Sequence, residues 1–214
     1  MKAAGHWGRA GALLLCVALG SCASWKRFQY EGWDRDAWQR PDEVIALLGV
    51  GEGDRVADVG AGGGYFTFRL ARAIGETGRV YAVDVDDDML GYLRQRAQDE
   101  GLSNVEVVRG ELEDPRLPDG EIDLLLVCDT YHHIADRSAY FRRVLTDLAP
   151  NGRVAIIEYD DRSWTSRTIG HFTPSATILR EMNEAGYRLL ANHEILERQS
   201  FLIFGADDGT GEGG

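Results

Sequence analysis

Short apolar runs alternate with amphipathic segments through the middle of the chain. The runs that predict strands lie at 55–59, 80–83, 104–109, 122–127 and 153–157. Apolar residues at helical spacing predict helices between them, over 65–74, 86–100 and 137–148. The unbroken apolar run at 122–127 is typical of a central parallel strand that is buried on both faces. The pattern predicts one α/β domain built on a doubly wound, Rossmann-like sheet that is mostly parallel.

Both ends of this domain carry further predicted elements. Pro41 suits the first position of a helix that runs to about residue 48. Thr173 and Pro174 suit the start of a last helix that ends near residue 186. Two final strands, at 187–196 and 201–204, predict a C-terminal antiparallel hairpin. The domain is therefore expected to span 41–204, and the Gly- and Asp-rich tail 205–214 is expected to be disordered.

A glycine-rich loop separates the first strand from its helix. Gly60, Gly62 and Gly64 permit a sharp turn, since glycine adopts positive φ without steric cost, and they leave the backbone open to a ligand. Asp84 ends the second strand, where a carboxylate can accept hydrogen bonds from the hydroxyl groups of a ribose. Together, the loop and Asp84 predict nucleotide binding at the carboxyl edge of the sheet.

Two details favour S-adenosylmethionine (SAM) over NAD as the nucleotide. The third glycine of a dinucleotide fingerprint would fall at Tyr65. Asp58 lies two residues before the first glycine, where its charge would repel a pyrophosphate but favour an ammonium or sulfonium group. An NAD-linked oxidoreductase is therefore the weaker interpretation.

The stretch Asp58-Val-Gly-Ala-Gly-Gly-Gly64 resembles the first motif of class I SAM-dependent methyltransferases. Val83-Asp84 is similar to their acidic second-strand end. The resemblance implies that Glu111 accepts a hydrogen bond from the adenine amino group and that Leu112 packs on the base. The residues expected to bind the cofactor are Asp58, Gly60, Gly62, Gly64, Asp84, Glu111, Leu112 and Asp129. Asp86 is expected either to contact the cofactor or to cap the following helix.

The segment after the fourth strand is expected to face the methyl group. The resemblance implies methyl transfer to a small-molecule acceptor, from which His132 or His133 would take a proton while Tyr131 orients it. Two alternatives stay open for the histidines: a structural role, or a metal site with Asp129 or Glu158 as a third ligand. No resident metal is expected. His171 is expected either to close this pocket or to pack at the start of the last helix.

Charge and the first residues bear on partners and location. The net charge of −12 argues against nucleic acid as the main partner, because phosphate binding needs a basic face. Lys2 and Arg9 precede an apolar stretch, and Leu-Gly-Ser-Cys22 resembles a bacterial lipobox. We therefore expect residues 1–21 to be a lipoprotein signal peptide and Cys22 to be lipidated.

A lipid anchor predicts a location at the cell envelope, at the outer membrane facing the periplasm. The protein is expected to be cytoplasmic if the signal is not functional. Residues 22–40 are expected to be a tether followed by a lid over the cofactor cleft, or a strap that packs its aromatic rings on the core. Since SAM is a cytoplasmic metabolite, a second hypothesis is an envelope protein that keeps the methyltransferase fold for ligand binding without catalysis.

Overall fold

The computed structural model describes residues 34–160 and 172–207. The predicted signal peptide, Cys22, the first part of the tether, His171 and most of the C-terminal tail lie outside these residues. The expectations for those positions stay predictions.

Within the described residues, seven strands form one sheet in the order β3-β2-β1-β4-β5-β7-β6. The strands are β1 Arg55–Val59, β2 Arg79–Asp84, β3 Val105–Arg109, β4 Ile122–Cys128, β5 Leu148–Tyr159, β6 Tyr187–His193 and β7 Gln199–Ala206. Strands β1 to β5 pair in parallel, and β7 pairs antiparallel with both β5 and β6. The predicted mostly parallel, Rossmann-like sheet with a C-terminal antiparallel pair is confirmed.

Helices pack on both faces of the sheet. They are α1 Arg35–Gln39, α2 Pro41–Leu48, α3 Thr67–Ala73, α4 Asp87–Asp99, α5 Arg137–Val144 and α6 Ser175–Glu184, and a 3-10 turn covers Tyr131–His133. On one face, α2 and α3 bury Val44, Leu48 and Leu70 in one core cluster. On the other face, α5 and α6 bury Phe141 and Ile178 in a second cluster.

Several predicted boundaries are wrong, for local reasons. Strand β5 begins at Leu148, which was predicted to end the preceding helix. Leu148 is part of the strand because it pairs with Ile122, and a register shift follows this pair. Strand β7 includes Gly205 and Ala206, which were predicted to be in the disordered tail, since Gly205 pairs with both Arg153 and Arg188. Strand β6 ends at His193 instead of residue 196.

No helix in residues 34–160 and 172–207 is both long enough and apolar enough to cross a membrane.

Candidate functional site

The glycine loop between β1 and α3 has the predicted left-handed backbone. Gly60, Gly62 and Gly64 have φ angles of 76°, 51° and 79°. Gly60 also lies against the segment that follows β4, because a Cβ at this position would be 2.1 Å from Oγ1 of Thr130. The loop and the β4 tip are thus in direct contact, and both border the carboxyl edge of the sheet.

Asp84 joins the tip of β2 to this loop. Its Oδ2 accepts a hydrogen bond from the backbone N–H of Gly62 at 2.8 Å. Its Oδ1 accepts from the N–H groups of Val85 at 2.8 Å and Asp86 at 2.9 Å. An ionised carboxylate has about four acceptor positions, so these contacts leave about one for a ribose hydroxyl. Asp84 therefore holds the loop in place as well as offering an acceptor to the cofactor.

The side chain of Asp86 caps α4. Its Oδ1 accepts from the backbone N–H of Asp88 at 2.9 Å, as an N-cap residue does. Of the two roles expected for Asp86, helix capping is the one that the contacts display.

Asp58 is buried directly behind the glycine loop. Its side chain is 3% exposed, and Oδ2 accepts a hydrogen bond from the hydroxyl of Thr67 at 2.6 Å. Burial raises the pKa of Asp58 to about 6, while the Thr67 hydrogen bond and the charge of Arg35 oppose that shift. A cation bound beside the loop would stabilise the ionised form of this carboxylate.

Exposed apolar side chains follow two neighbouring strand tips. Val85 comes directly after Asp84 and is 47% exposed, and Leu112 follows β3 and is 67% exposed. Glu111, expected to meet the adenine amino group, forms an ion pair with Arg116. Large exposed apolar groups on adjacent tips suit a flat, apolar ring between them. Val85 is not among the residues expected from the sequence to bind the cofactor, although an apolar residue immediately after the acidic end of the second strand is a usable signal.

Asp129 begins the segment after β4 in a left-handed conformation, with φ 54°. Its Oδ2 lies 3.4 Å from Nη2 of Arg35, and its Oδ1 accepts a hydrogen bond from the amide of Gln199. Burial raises the pKa of Asp129 to about 6, against the opposing charge of Arg35. The carboxylate is thus fixed between α1 and β7 at the same edge of the sheet as Asp58 and Asp84.

His132 contacts a buried carboxylate at the tip of β5. Its Nδ1 lies 3.0 Å from both Oε1 and Oε2 of Glu158, and its backbone N–H donates to Oε2 at 3.1 Å. Glu158 is 0% exposed. The sequence indicates Glu158 only as a possible metal ligand. It does not reveal this pairing, because the two residues are 26 positions apart and come from different strand tips.

The structure does not support the predicted acceptor-orienting role of Tyr131. Its ring is fully buried and stacks on Phe141 with 5.5 Å between ring centroids. Its hydroxyl donates to Glu181, 2.9 Å away on α6. Tyr131 faces the core because the 3-10 turn directs consecutive side chains to different sides. His133 is exposed, and its ring lies 4.1 Å from that of His132.

Helix α1, within the segment predicted as tether and lid, bridges the glycine loop and the β4 tip. Asp36 accepts from the hydroxyl of Tyr65 at 2.6 Å, and the guanidinium of Arg35 lies 3.9 Å from the centroid of the same ring. Gln39 is buried and donates to Gln199 at 3.0 Å and to Sγ of Cys128 at 3.1 Å. Cys128 is a free cysteine and is buried.

No group of three or more His, Cys, Asp or Glu side chains in the described ranges is arranged to hold a metal ion.

Comparison with known proteins identifies the family. A family model described as a methyltransferase domain matches residues 51–198. The ubiquinone/menaquinone biosynthesis C-methyltransferase UbiE of Pseudomonas putida F1 is 33% identical over 123 residues, covering 57% of this chain and 47% of that protein. Its counterpart in Pseudomonas putida GB-1 is 30% identical over 162 residues, covering 72% of this chain and 62% of that protein. The chain thus spans about half to three fifths of the length of these curated relatives.

Among solved structures, a SAM-dependent methyltransferase from Aquifex aeolicus has a TM-score of 0.79 and 24% identity, with 86% of this chain and 98% of that chain covered. This likeness shows a shared fold. The glycine loop, the Asp84 carboxylate and the exposed Val85 and Leu112 side chains lie at the carboxyl edge of the sheet in this shared fold.

Proposed function

Because this chain belongs to the SAM-dependent methyltransferase family, we propose that it transfers a methyl group from SAM to a small-molecule acceptor. The main support for the proposal is the hydrogen bond from the backbone N–H of Gly62 to Asp84. It holds the glycine loop next to the carboxylate that would accept from the ribose. When bound, SAM supplies a methyl carbon on a sulfonium, whose carbon–sulfur bond breaks with both electrons kept by sulfur.

The proposed cofactor site runs along the carboxyl edge of the sheet. Val85 and Leu112 hold the base, with Glu111 beside its amino group, and Asp84 accepts from the ribose. The charges of Asp58 and Asp129 face the cationic end of the cofactor. Gly60, Gly62 and Gly64 allow the backbone to approach it without intervening side chains.

The proposed acceptor side is centred on His132. A neutral imidazole in this position can take a proton from an acceptor hydroxyl, which makes the oxygen or a conjugated carbon nucleophilic. Near the same edge, Trp38 packs directly on Tyr159 with 5.9 Å between the ring centroids, and both side chains are partly exposed. The names of the UbiE relatives make hydroxylated aromatic rings of the quinone-precursor type the first acceptors to test.

The test is release of S-adenosylhomocysteine in the presence of such acceptors. Wild-type protein should form it in an acceptor-dependent manner, and His132→Ala should lower turnover by about 100-fold or more while its affinity for SAM stays within about twofold. The matched control is His193→Ala on β6, which should keep wild-type turnover. SAM binding without turnover of any acceptor would instead favour the ligand-binding hypothesis.

We also propose that Cys22 is lipidated and anchors the protein at the cell envelope. The support is the sequence alone: the cationic start, the short apolar stretch and the small residues that precede Cys22. Cys22→Ser should release the protein from the membrane fraction. A variant that fractionates like the wild type would contradict the anchor.

A further inference from the structure

Glu158 is the buried carboxylate next to the proposed acceptor site. It is 0% exposed and receives the backbone N–H of His132 on Oε2 at 3.1 Å and that of Tyr159 on Oε1 at 2.9 Å. The imidazole Nδ1 of His132 then lies 3.0 Å from both oxygens. Burying a carboxylate costs free energy unless hydrogen bonds replace its contacts with water, and these three donors supply such hydrogen bonds.

We propose that Glu158 is a positioning residue that fixes the tautomer and the orientation of His132. A carboxylate beside Nδ1 requires the ring proton to be on Nδ1, so in the neutral ring the basic lone pair is on Nε2. The backbone bond from His132 to the same carboxylate fixes the ring further, since one group holds both the main chain and the side chain. This inference rests on the proposed function for its chemical step.

The arrangement selects a class of acceptor. A fixed base is needed when the acceptor must lose a proton to become nucleophilic, as a phenolic or enolic hydroxyl does, whereas a neutral amine already has its lone pair. The acceptor O–H bond breaks, its electrons stay with the acceptor, and the proton goes to Nε2 of His132. The freed electrons form the new bond to the methyl carbon, either at oxygen or at a conjugated ring carbon, which afterwards releases its own C–H proton as the ring regains aromaticity. The resulting imidazolium is stabilised by the Glu158 carboxylate on its other side.

The experiment combines nitrogen NMR with kinetics. In protein labelled with 15N-histidine, the neutral His132 ring should show a protonated Nδ1 and an unprotonated Nε2. The His132→Gln variant assigns the signals among the 5 histidines of the chain. In Glu158→Leu, which offers no acceptor to Nδ1, the ring should lose its preference for the Nδ1–H form. The value of kcat should fall about 10- to 100-fold, while the acceptor KM and the SAM affinity stay within about twofold.

Two further variants separate positioning from general damage. Glu158→Asp keeps the charge one methylene shorter and should recover part of both the tautomer preference and kcat. Glu121→Gln removes a carboxylate that is paired with Arg55 at the opposite edge of the sheet, and it should change neither. The wild-type tautomer is measured without any change at Glu158, so the inference is testable even where the Glu158→Leu variant fails to fold.

The outcomes distinguish this inference from the proposed function. A wild-type protein that turns over an acceptor but carries the proton on Nε2 of His132 would overturn the role of Glu158 and leave methyl transfer standing. An unchanged tautomer in folded Glu158→Leu would overturn it as well. A wild-type ring in the Nδ1–H form, in a protein that binds no SAM, would support the pairing and contradict the proposed function.

Discussion

The carboxylate of Asp84 accepts a hydrogen bond from the backbone N–H of Gly62, with 2.8 Å between oxygen and nitrogen. The tip of β2 and the loop after β1 are therefore one structural unit. A residue expected only to bind ribose also sets the shape of the loop, so its replacement affects the cofactor site in two ways.

Replacing Asp84 with Ala should weaken SAM binding by more than about tenfold. The variant loses a charge-assisted acceptor for the ribose and also frees the Gly62 N–H. Asp99→Asn, at the far end of α4, is the control and should bind like the wild type. Calorimetric titration measures both, and an unchanged affinity in Asp84→Ala would contradict this placement of the ribose.

Gly60→Ala should destabilise the protein beyond the cost of its backbone angle. The added Cβ would meet Oγ1 of Thr130 at 2.1 Å. Gly101 is the matched control, because its φ is also positive, at 67°, but no atom lies within 4 Å of an added Cβ. Gly101→Ala should cost about 1 kcal/mol of unfolding free energy, and Gly60→Ala about 1–3 kcal/mol more. If urea denaturation shows the same loss of unfolding free energy in both variants, the contact with Thr130 does not contribute to the destabilisation.

The five parallel strands could be predicted from the sequence because each is a buried apolar run that is followed by polar residues. Asp58, Asp84 and Asp129 could be assigned to one edge by that logic alone. The residues that these strand ends contact could not be predicted from the sequence. Glu158 and His132 meet across two strands, and Thr130 meets Gly60 through the packing of two loops. Such contacts depend on the register of the sheet, which residue spacing along the chain does not determine.

Asp58 should make stability depend on pH. Its pKa of about 6 in the folded protein lies above the ordinary value, so the native state holds this proton more tightly than the unfolded chain. The stabilisation is complete below about pH 4 and is lost as the pH rises through 6. Between those limits, the unfolding free energy of the wild type should fall by about 1–3 kcal/mol relative to Asp58→Asn. Urea denaturation at both pH values measures this, and parallel pH profiles for the two proteins would contradict it.

The affinity for SAM should change with pH in the opposite direction. The ionised form of Asp58 attracts the cationic end of the cofactor, so wild-type binding should tighten between pH 5 and 7. Asp58→Asn has no charge to gain, and its affinity should change less over the same range. Equal pH dependence in both proteins would remove Asp58 from the cofactor site.

Gln39→Leu should loosen α1. The buried amide donates to Gln199 and to Cys128, and it accepts a hydrogen bond from Arg35. Removing a buried partner costs about 1–3 kcal/mol. Gln95→Leu, on the exposed face of α4, is the control and should change stability by less than about 0.5 kcal/mol. Thermal denaturation compares the two variants, and equal stability would mean that α1 contributes little to the fold.

Helix α1 also shows where sequence pattern is insufficient. The aromatic segment 22–40 permitted a lid or a packed strap, and the choice depended on what Arg35, Asp36 and Gln39 contact. These polar residues carry no periodic signal, yet they connect α1 to Asp129, Tyr65 and Gln199. Tyr131 is the converse case: its position beside His132 suggested chemistry, but the turn directs its ring into the core.

The most direct test of the account is calorimetric titration of the protein with SAM, S-adenosylhomocysteine and NADH. We expect SAM and S-adenosylhomocysteine to bind with micromolar dissociation constants and NADH not to bind. Tight binding of NADH, or a folded protein that takes up neither SAM nor S-adenosylhomocysteine, would contradict it.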